Sequence, residues 1–240
     1  MELPVLRPFC VVRNAPLAEG VFELVLQPAD RQMVFGFVPG QFIMLHLMNA
    51  DGSVWAKTAY SIASAPFESK DTITLAIKLR GDFTRRARDL QLGDIVKVQG
   101  PYGKFTLPDD DRDVIMLAGG IGVAPFRSMI REAVASRINK RIILLYSCKT
   151  AEGMAFLDEL RGLAARNAKF MPTFFLTGCV LEEWRGEIGR INQKSLHKYV
   201  PYKEKALFMV CGSHEFTDDM VDILRRSGVD VANSLRKEMF

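Results

Sequence analysis

The sequence lacks the residue patterns that mark metal centres. Its four cysteines are far apart, with no C-x-x-C pair and no spacing of the kind that holds an iron–sulfur cluster. The histidines also lack the spacing of metal ligands. We therefore predict no metal site and expect free thiols in a reducing cytoplasm. The cysteines are Cys10, Cys148, Cys179 and Cys211.

Long apolar runs and one-signed charge are also missing. The longest charge-free apolar stretch, 114–126, has 13 residues, whereas about 20 are needed to cross a bilayer. Residues 1–7 show no basic region before an apolar core, so no signal peptide is predicted. Lys and Arg outnumber Asp and Glu by only 12 to 10 in residues 1–108 and by 20 to 18 in 109–240. We expect a soluble, cytoplasmic protein without membrane insertion or nucleic-acid binding, although an acidic protein partner remains possible.

The first part of the chain alternates apolar and polar residues with a period near two. Phe22, Leu24 and Leu26 show this alternation, which is typical of half-buried antiparallel strands. Six such runs with little helix predict a six-stranded antiparallel β-barrel. One short helix is expected after Thr84, running to about Leu90. The predicted strands cover 9–13, 22–27, 41–48, 58–63, 72–80 and 95–98.

The acidic stretch Pro108–Asp113 marks a change of pattern. Beyond it, four uniformly apolar runs alternate with helical periodicities, which predicts an α/β doubly wound parallel sheet. The 240 residues, 48% of them hydrophobic, suit two modest domains. We predict a barrel domain over 1–108 and an α/β domain over 109–240. The apolar runs are 114–118, 141–146, 170–177 and 206–211.

A glycine-rich turn follows the first of these runs. Gly119, Gly120 and Gly122 can adopt positive φ and expose bare backbone, and Pro125 is suited to the first turn of the helix that follows. The start of a helix favours an anion, most simply a pyrophosphate. Such turns also occur where nothing binds. Proline replaces the third glycine of the usual dinucleotide fingerprint, and no acidic residue ends the next strand.

Four short stretches in this order resemble the ferredoxin–NADP reductase superfamily. They are Thr58–Ser64, Gly81–Thr84, Gly119–Pro125 and Cys211–Ser213. The resemblance covers nearly the whole chain. It implies a two-domain flavoenzyme with FAD, or less often FMN, on the barrel and a nicotinamide nucleotide, NADH or NADPH, on the sheet.

The resemblance assigns the flavin contacts to the barrel. Tyr60 would stack on the flavin ring and Ser61 would bond at its N5 atom, although Tyr60 is also explained as a strand aromatic in the barrel. Thr84 is a plausible helix N-cap near the flavin phosphate, or only the cap of a surface helix. The remaining predicted flavin contacts are Ile77, Lys78, Gly81 and Phe83.

Thr58 departs from the family pattern. An arginine that pairs with flavin phosphate usually stands there, and threonine offers a hydrogen bond without charge. Arg85 or Arg86 can supply the missing charge, or the two can form an ordinary solvated helix end. The choice stays open at this point.

The resemblance assigns the nicotinamide contacts to the sheet. Cys211 would lie beside the nicotinamide carbon that gives hydride, although a buried cysteine is often only a small hydrophobe. A hydrolytic pair of Cys211 with His214 lacks an orienting acid. Ser147 and Lys149 follow the second strand, where a 2′-phosphate would be recognised. The other predicted nucleotide contacts are Gly119, Gly120, Ile121, Gly122, Pro125, Gly212 and Ser213.

The C-terminal residues resemble a family ending in an acid and an aromatic residue. By that resemblance Phe240 would gate the nicotinamide, and Glu238 would assist orientation or proton transfer. A frayed tail is the ordinary alternative.

We predict an FAD-dependent oxidoreductase that takes hydride from NAD(P)H. Since the chain lacks cluster cysteines, it would pass electrons to a separate carrier, such as a ferredoxin or other iron–sulfur protein or subunit, or a flavodoxin. The alternatives are a reductase of free flavin or a small molecule, and a non-catalytic flavin-binding subunit of a larger redox complex.

Overall fold

The structure, a computed structural model, describes residues 5–178, 183–200 and 205–240. Its first part is an antiparallel sheet of six strands in the order β4-β3-β6-β1-β2-β5. An isolated bridge between Ile62 and Leu75 joins the two edges, so that the sheet closes on itself. The predicted barrel is confirmed. The strands are β1 (Arg7–Ala18), β2 (Val21–Pro28), β3 (Phe42–Met48), β4 (Val54–Ser61), β5 (Ile73–Lys78) and β6 (Ile95–Tyr102).

The alternating residues of the barrel strands face one core. Leu24 and Leu26 of β2 pack with Ile43 and Leu45 of β3, and all four are fully buried. The predicted helix is present as α1 (Asp82–Arg88), but it begins earlier than expected. Gly81 precedes it with φ +83°, a conformation that glycine adopts without strain.

The second part of the chain is a parallel sheet of six strands, in the order β10-β9-β8-β7-β11-β12. It confirms the predicted doubly wound sheet. Its strands are β7 (Asp113–Gly119), β8 (Ile142–Cys148), β9 (Phe170–Leu176), β10 (Glu187–Ile188), β11 (Ala206–Gly212) and β12 (Leu235–Met239). The helices are α2 (Val123–Ala135), α3 (Leu157–Arg166), α4 (Gln193–Tyr199) and α5 (His214–Arg226). The sequence predicted the four central strands but not the short edge strands β10 and β12.

Helices cover both faces of this sheet. One core lies under α2 and α3, and a second lies under α4 and α5. The central strands are uniformly apolar because residues of both parities are buried; Met116 and Leu117 of β7, for example, lie in different cores.

Four charged side chains join the barrel to the α/β part. Arg127 of α2 donates to Glu68 at 3.0 Å and to Glu159 of α3 at 2.9 Å, and it also donates to the carbonyl of Ala63 at 2.8 Å. Arg131 bonds Glu68 as well. We call Glu68, Arg127, Arg131 and Glu159 the interdomain latch. Because Glu68 follows β4 whereas the other three residues lie on α2 and α3, the latch fixes one part against the other.

Burial works to raise the pKa of Glu68. The hydrogen bond from the Ala65 N–H and the charges of Arg127 and Arg131 outweigh it and hold the pKa below its usual value. The Glu68 carboxylate therefore stays ionised at neutral pH, as the latch requires.

Within the described part of the chain, no helix is long and apolar enough to span a bilayer. In the same residues, no group of three or more His, Cys, Asp or Glu side chains is arranged to hold a metal ion. Cys10, Cys148 and Cys211 are unpaired, and Cys179 lies outside the described residues.

Candidate functional site

A cleft opens where the strand order of the parallel sheet reverses. Strands β7 and β11 are neighbours, but the chain leaves β7 towards β8 and leaves β11 towards β12. Open α/β sheets bind ligands at such a point, beyond the carboxyl ends of the strands. The turns that follow β7 and β11 therefore form the walls of the candidate site.

The three glycines after β7 have different roles. Gly120 alone has positive φ, at +53°, and the space beside its Cα is open. A Cβ atom on Gly122 would lie 2.3 Å from the carbonyl oxygen of Cys211, and one on Gly119 would lie 2.6 Å from the Phe216 ring. The positive φ that the sequence allowed at all three glycines is present at Gly120 but not at Gly119 or Gly122, where close packing accounts for the glycine.

The amino end of α2 can accept an anion. The helix starts at Val123, so Pro125 is its third residue and is buried, and no side chain caps its first turn. A 3₁₀ turn over Gly120–Gly122 leads directly into α2, and the Val123 N–H bonds the Gly120 carbonyl. The N–H groups without a partner inside these two elements are therefore those of the 3₁₀ turn, which no side chain caps. Together with the bare backbone at Gly120, they fit the pyrophosphate of a nicotinamide nucleotide. Ile121, between the two glycines, is half-buried against the core.

A chain of three side chains crosses from the sheet to the barrel. Cys211 of β11 and Glu238 of β12 are register partners in neighbouring parallel strands. The Glu238 carboxylate accepts a hydrogen bond of 3.4 Å from the Ser61 hydroxyl at the end of β4. The structure thus brings together three residues that sequence reasoning assigned separately to flavin, nicotinamide and proton transfer.

The surroundings of Cys211 and Glu238 shift the pKa values of both side chains. Burial raises the pKa of the Cys211 thiol well above its usual value, and the nearby Glu238 carboxylate adds to the rise. Burial also raises the pKa of Glu238, against the hydrogen bond from Ser61. Cys211 therefore stays a neutral thiol at physiological pH, whereas Glu238 holds its proton to a higher pH than an exposed glutamate.

A row of aromatic side chains runs along the barrel beside the contact of Ser61 with Glu238. Tyr60 contacts Phe83 with ring centroids 6.0 Å apart, and Phe83 stacks on Trp55 at 6.2 Å. Burial raises the pKa of Tyr60 to about 12, so its hydroxyl stays neutral. A row of aromatic rings fits an aromatic cofactor such as flavin.

Sequence reasoning missed Trp55. A register shift between β3 and β4 leaves this residue extra in its strand, forming a bulge. Bulges re-aim side chains, and here the indole packs on Phe83. The alternation of the sequence carries no signal for such a shift.

Thr84 does not cap α1. Its hydroxyl accepts from the Arg80 N–H at 2.7 Å and donates to the Gly81 carbonyl at 3.0 Å. Because the helix starts at Asp82, Thr84 lies inside the first turn and is buried. The N-cap prediction is wrong, and the hydroxyl instead stabilises the turn at Gly81.

The remaining predicted contacts on the barrel differ in their access to the cleft. Ile77 is fully buried in the barrel core, which removes its side chain as a ligand contact. Lys78 is exposed and lies close enough to Cys148, across the seam between the two parts, for its charge to act on that thiol. Burial raises the pKa of the Cys148 thiol, and the Lys78 charge opposes that rise. Thr58 is half-buried on β4, two residues before Tyr60.

The remaining nucleotide-side residues lie at the strand ends or on the turn after β11. Ser147 pairs with Gly119, and Lys149 is exposed just beyond β8. A Cβ on Gly212 would meet the Phe216 ring at 2.5 Å, and the Ser213 hydroxyl caps α5.

The C-terminal residues adjoin this turn. The Phe240 N–H donates to the Gly212 carbonyl at 3.3 Å, and the residue is 50% exposed. A groove of about 340 Å³ opens beside Glu238, lined also by Lys104, Phe105, Arg236 and Lys237.

The raised pKa of Glu238 predicts a pH effect on stability. The unfolded chain ionises this residue first, so the folded state loses stability as pH rises from the ordinary value to the raised one. The free energy of unfolding of the wild type should therefore fall relative to that of Glu238→Gln over this window in urea titrations. Ser61→Ala removes the opposing hydrogen bond and should extend the fall to higher pH. A difference in the free energy of unfolding, wild type minus Glu238→Gln, that stays flat or increases as pH rises through this window would contradict the prediction.

Two family models match the chain. The model for the oxidoreductase FAD-binding domain matches residues 8–107, and that for the oxidoreductase NAD-binding domain matches residues 116–222. Together they take in most of the chain. Fold, site and domain matches thus define an oxidoreductase with a flavin-binding and a nicotinamide-binding domain. The chain belongs to the ferredoxin–NADP reductase superfamily.

Relatives and solved structures agree with this assignment. The chain is 24% identical to a flavohemoprotein of Bacillus subtilis, covering 98% of this chain and 59% of the relative. It is 30% identical to a glycine betaine monooxygenase reductase subunit of Chromohalobacter salexigens, covering 85% and 56%. The chain thus spans less than two thirds of either relative. The fold matches the flavohem-like FAD/NAD-binding domain of a Vibrio cholerae nitric oxide dioxygenase, with a TM-score of 0.86, 23% identity and 98% of both chains covered.

Proposed function

We propose that this chain takes hydride from NAD(P)H onto FAD and passes the electrons to a separate carrier protein. The observation that carries the proposal is the meeting of Cys211, Glu238 and Ser61 at the seam between the two parts. Residues 1–108 would bind the flavin and residues 109–240 the nicotinamide nucleotide.

The protein's contribution is orientation. Tyr60 supports the flavin ring, Ser61 bonds near its reactive edge, and the turn 119–122 holds the nucleotide pyrophosphate. When bound, FAD supplies the chemistry, since it accepts two electrons as hydride and can release them one at a time. Holding both rings in a reactive arrangement replaces a bimolecular encounter with an intramolecular one.

Cys211 positions the nicotinamide, and Glu238 takes part in proton transfer. The neutral Cys211 thiol supports the nicotinamide without forming a bond to it, because its high pKa leaves almost no thiolate. Glu238 accepts a hydrogen bond from Ser61, and its raised pKa makes it easier to protonate than an exposed glutamate, which supports a role in proton transfer. Phe240 covers the nicotinamide site until the nucleotide enters.

The acceptor is proposed from chemistry and relatives. The groove beside Glu238 is lined by Lys104, Arg236 and Lys237, which supports an acidic carrier such as a ferredoxin or other iron–sulfur protein, or a flavodoxin. One relative is named as the reductase subunit of a monooxygenase, which supports transfer to a separate protein.

Anaerobic reduction of the purified protein tests the proposal. The protein should be yellow, and NADH or NADPH should bleach it in a single rapid phase. Cys211→Ala should keep the colour and slow the bleaching at least about tenfold, by the loss of positioning. Cys10→Ala, which changes a thiol in the barrel away from the cleft, is the matched control and should bleach at the wild-type rate. A protein that binds flavin but does not bleach would favour a non-catalytic subunit, and rapid turnover of excess free flavin would favour a flavin reductase.

A further inference from the structure

The side chain of Arg86 is held in an unusual place for a helix arginine. Its guanidinium lies over the Trp55 ring, 4.6 Å from the centroid, and donates to the Met48 carbonyl at 2.8 Å. The residue is half-buried. Both contacts fix the guanidinium against the aromatic row rather than in solvent.

No carboxylate accompanies this charge. Among the residues that the structure describes, no ion pair includes Arg86. Its neighbours on α1 differ, since Arg85 pairs with Asp82 at 2.6 Å, and Arg88 pairs with Asp89 at 3.0 Å. Both of those arginines are exposed. The guanidinium is partly withdrawn from water without an opposite charge beside it, which is unfavourable, so the site is suited to an anionic ligand.

The chemistry of the guanidinium specifies the anion. One N–H bonds Met48, and the planar group has further donors in a fork that matches two oxygens of a phosphate. The π-face of Trp55 holds the plane in one orientation. A phosphate that arrives here meets a donor fork that is already ordered.

The position of Arg86 fits the arginine that the strand lacks. Trp55 connects through Phe83 to Tyr60, the proposed support of the flavin ring. Thr58 lies between Trp55 and Tyr60 on β4, at the position where the family resemblance places a phosphate-binding arginine. We propose that Arg86 replaces this arginine and binds a phosphate of FAD from α1. This inference rests on the proposed flavin binding.

Flavin affinity tests the replacement directly. Full-length protein freed of flavin is titrated with FAD, FMN and riboflavin, and quenching of flavin fluorescence reports Kd. Arg86→Gln should raise Kd for FAD about 10- to 100-fold, as expected for a lost charge-assisted hydrogen bond. It should leave Kd for riboflavin within about twofold, since riboflavin has no phosphate, and it should weaken the salt dependence of FAD binding. Adding Thr58→Arg to the Arg86→Gln protein should restore its affinity for FAD.

The controls separate charge from packing. Arg88→Gln removes an equal charge from the same helix and should leave Kd for FAD unchanged; matched thermal unfolding midpoints would show that both variants fold. The proposal is overturned if Arg86→Gln binds FAD as tightly as wild type, if riboflavin weakens equally, or if Arg85→Gln causes the loss instead. A missing restoration by Thr58→Arg also counts against it. A wild type that binds no flavin would reject the proposed function itself, a distinct outcome.

Discussion

Gly122→Ala should lower the rate of nicotinamide-dependent flavin reduction by at least about 100-fold. The new Cβ atom would stand 2.3 Å from the Cys211 carbonyl oxygen and 2.8 Å from the Gly212 nitrogen. Both obstacles are backbone atoms of β11, so neither can rotate away. The turn and the strand must separate, and a displacement of about 1 Å at a reacting group can cost two orders of magnitude in rate. Stopped-flow bleaching under anaerobic conditions measures the effect.

Gly162→Ala is the matched control for this substitution. It adds the same methyl group inside α3, where the Cβ meets only the Arg166 side chain at an ordinary 3.4 Å. Alanine is the better helix former by about 1 kcal/mol, so stability should be kept or raised and the rate unchanged. A Gly122→Ala protein that reduces flavin at the wild-type rate would show that the turn does not position the reacting groups.

Arg127→Met should lower the free energy of unfolding by about 3–5 kcal/mol. The Arg127 side chain is only 13% exposed and bonds Glu68, Glu159 and the Ala63 carbonyl. Methionine keeps much of the apolar stem but leaves both carboxylates of the interdomain latch short of a partner. Urea denaturation should show the loss, and the transition should broaden or split as the two parts unfold more independently.

Arg225→Met is the comparison for surface ion pairs. Arg225 pairs with Asp222 on α5 with both side chains more than half exposed, so its loss should cost less than about 1 kcal/mol. The pKa of Glu68 is lowered in the fold, so the latch stabilises above the ordinary glutamate value and is lost as pH falls through the lowered one. The difference between wild type and Arg127→Met should therefore shrink in acid. Equal losses for the two substitutions would show that the latch is no stronger than a surface pair.

Local patterns in the sequence predicted the framework. The alternation at Phe22, Leu24 and Leu26 and the unbroken apolar run of β7 record which faces are buried, and burial is a property of each strand by itself. Those signals were sufficient for both sheets and for the place of the glycine-rich turn.

Features that depend on several distant elements could not be predicted. The bulge at Trp55 depends on how β4 aligns with β3. The role of the Thr84 hydroxyl was misassigned and the Arg127–Glu68 pair was missed. In both cases tertiary packing decides the partner. The contact from Cys211 through Glu238 to Ser61 depends on β12. The sequence of β12 is polar and carries no strand pattern, so the contact could not be predicted. Motif resemblance named Glu238, whereas its position opposite Cys211 is visible only in the fold.

The strand order of the parallel sheet has a kinetic consequence. Asp113 of β7 pairs with Ala206 of β11, and Cys211 of β11 pairs in turn with Glu238 of β12. Contacts between such remote residues close late, because the chain must first lose the entropy of a long loop. The barrel carries an equally remote pairing, since Arg7 of β1 pairs with Val98 of β6. Neither part can therefore form from local contacts alone, and the cleft between them is complete only after both long loops have closed.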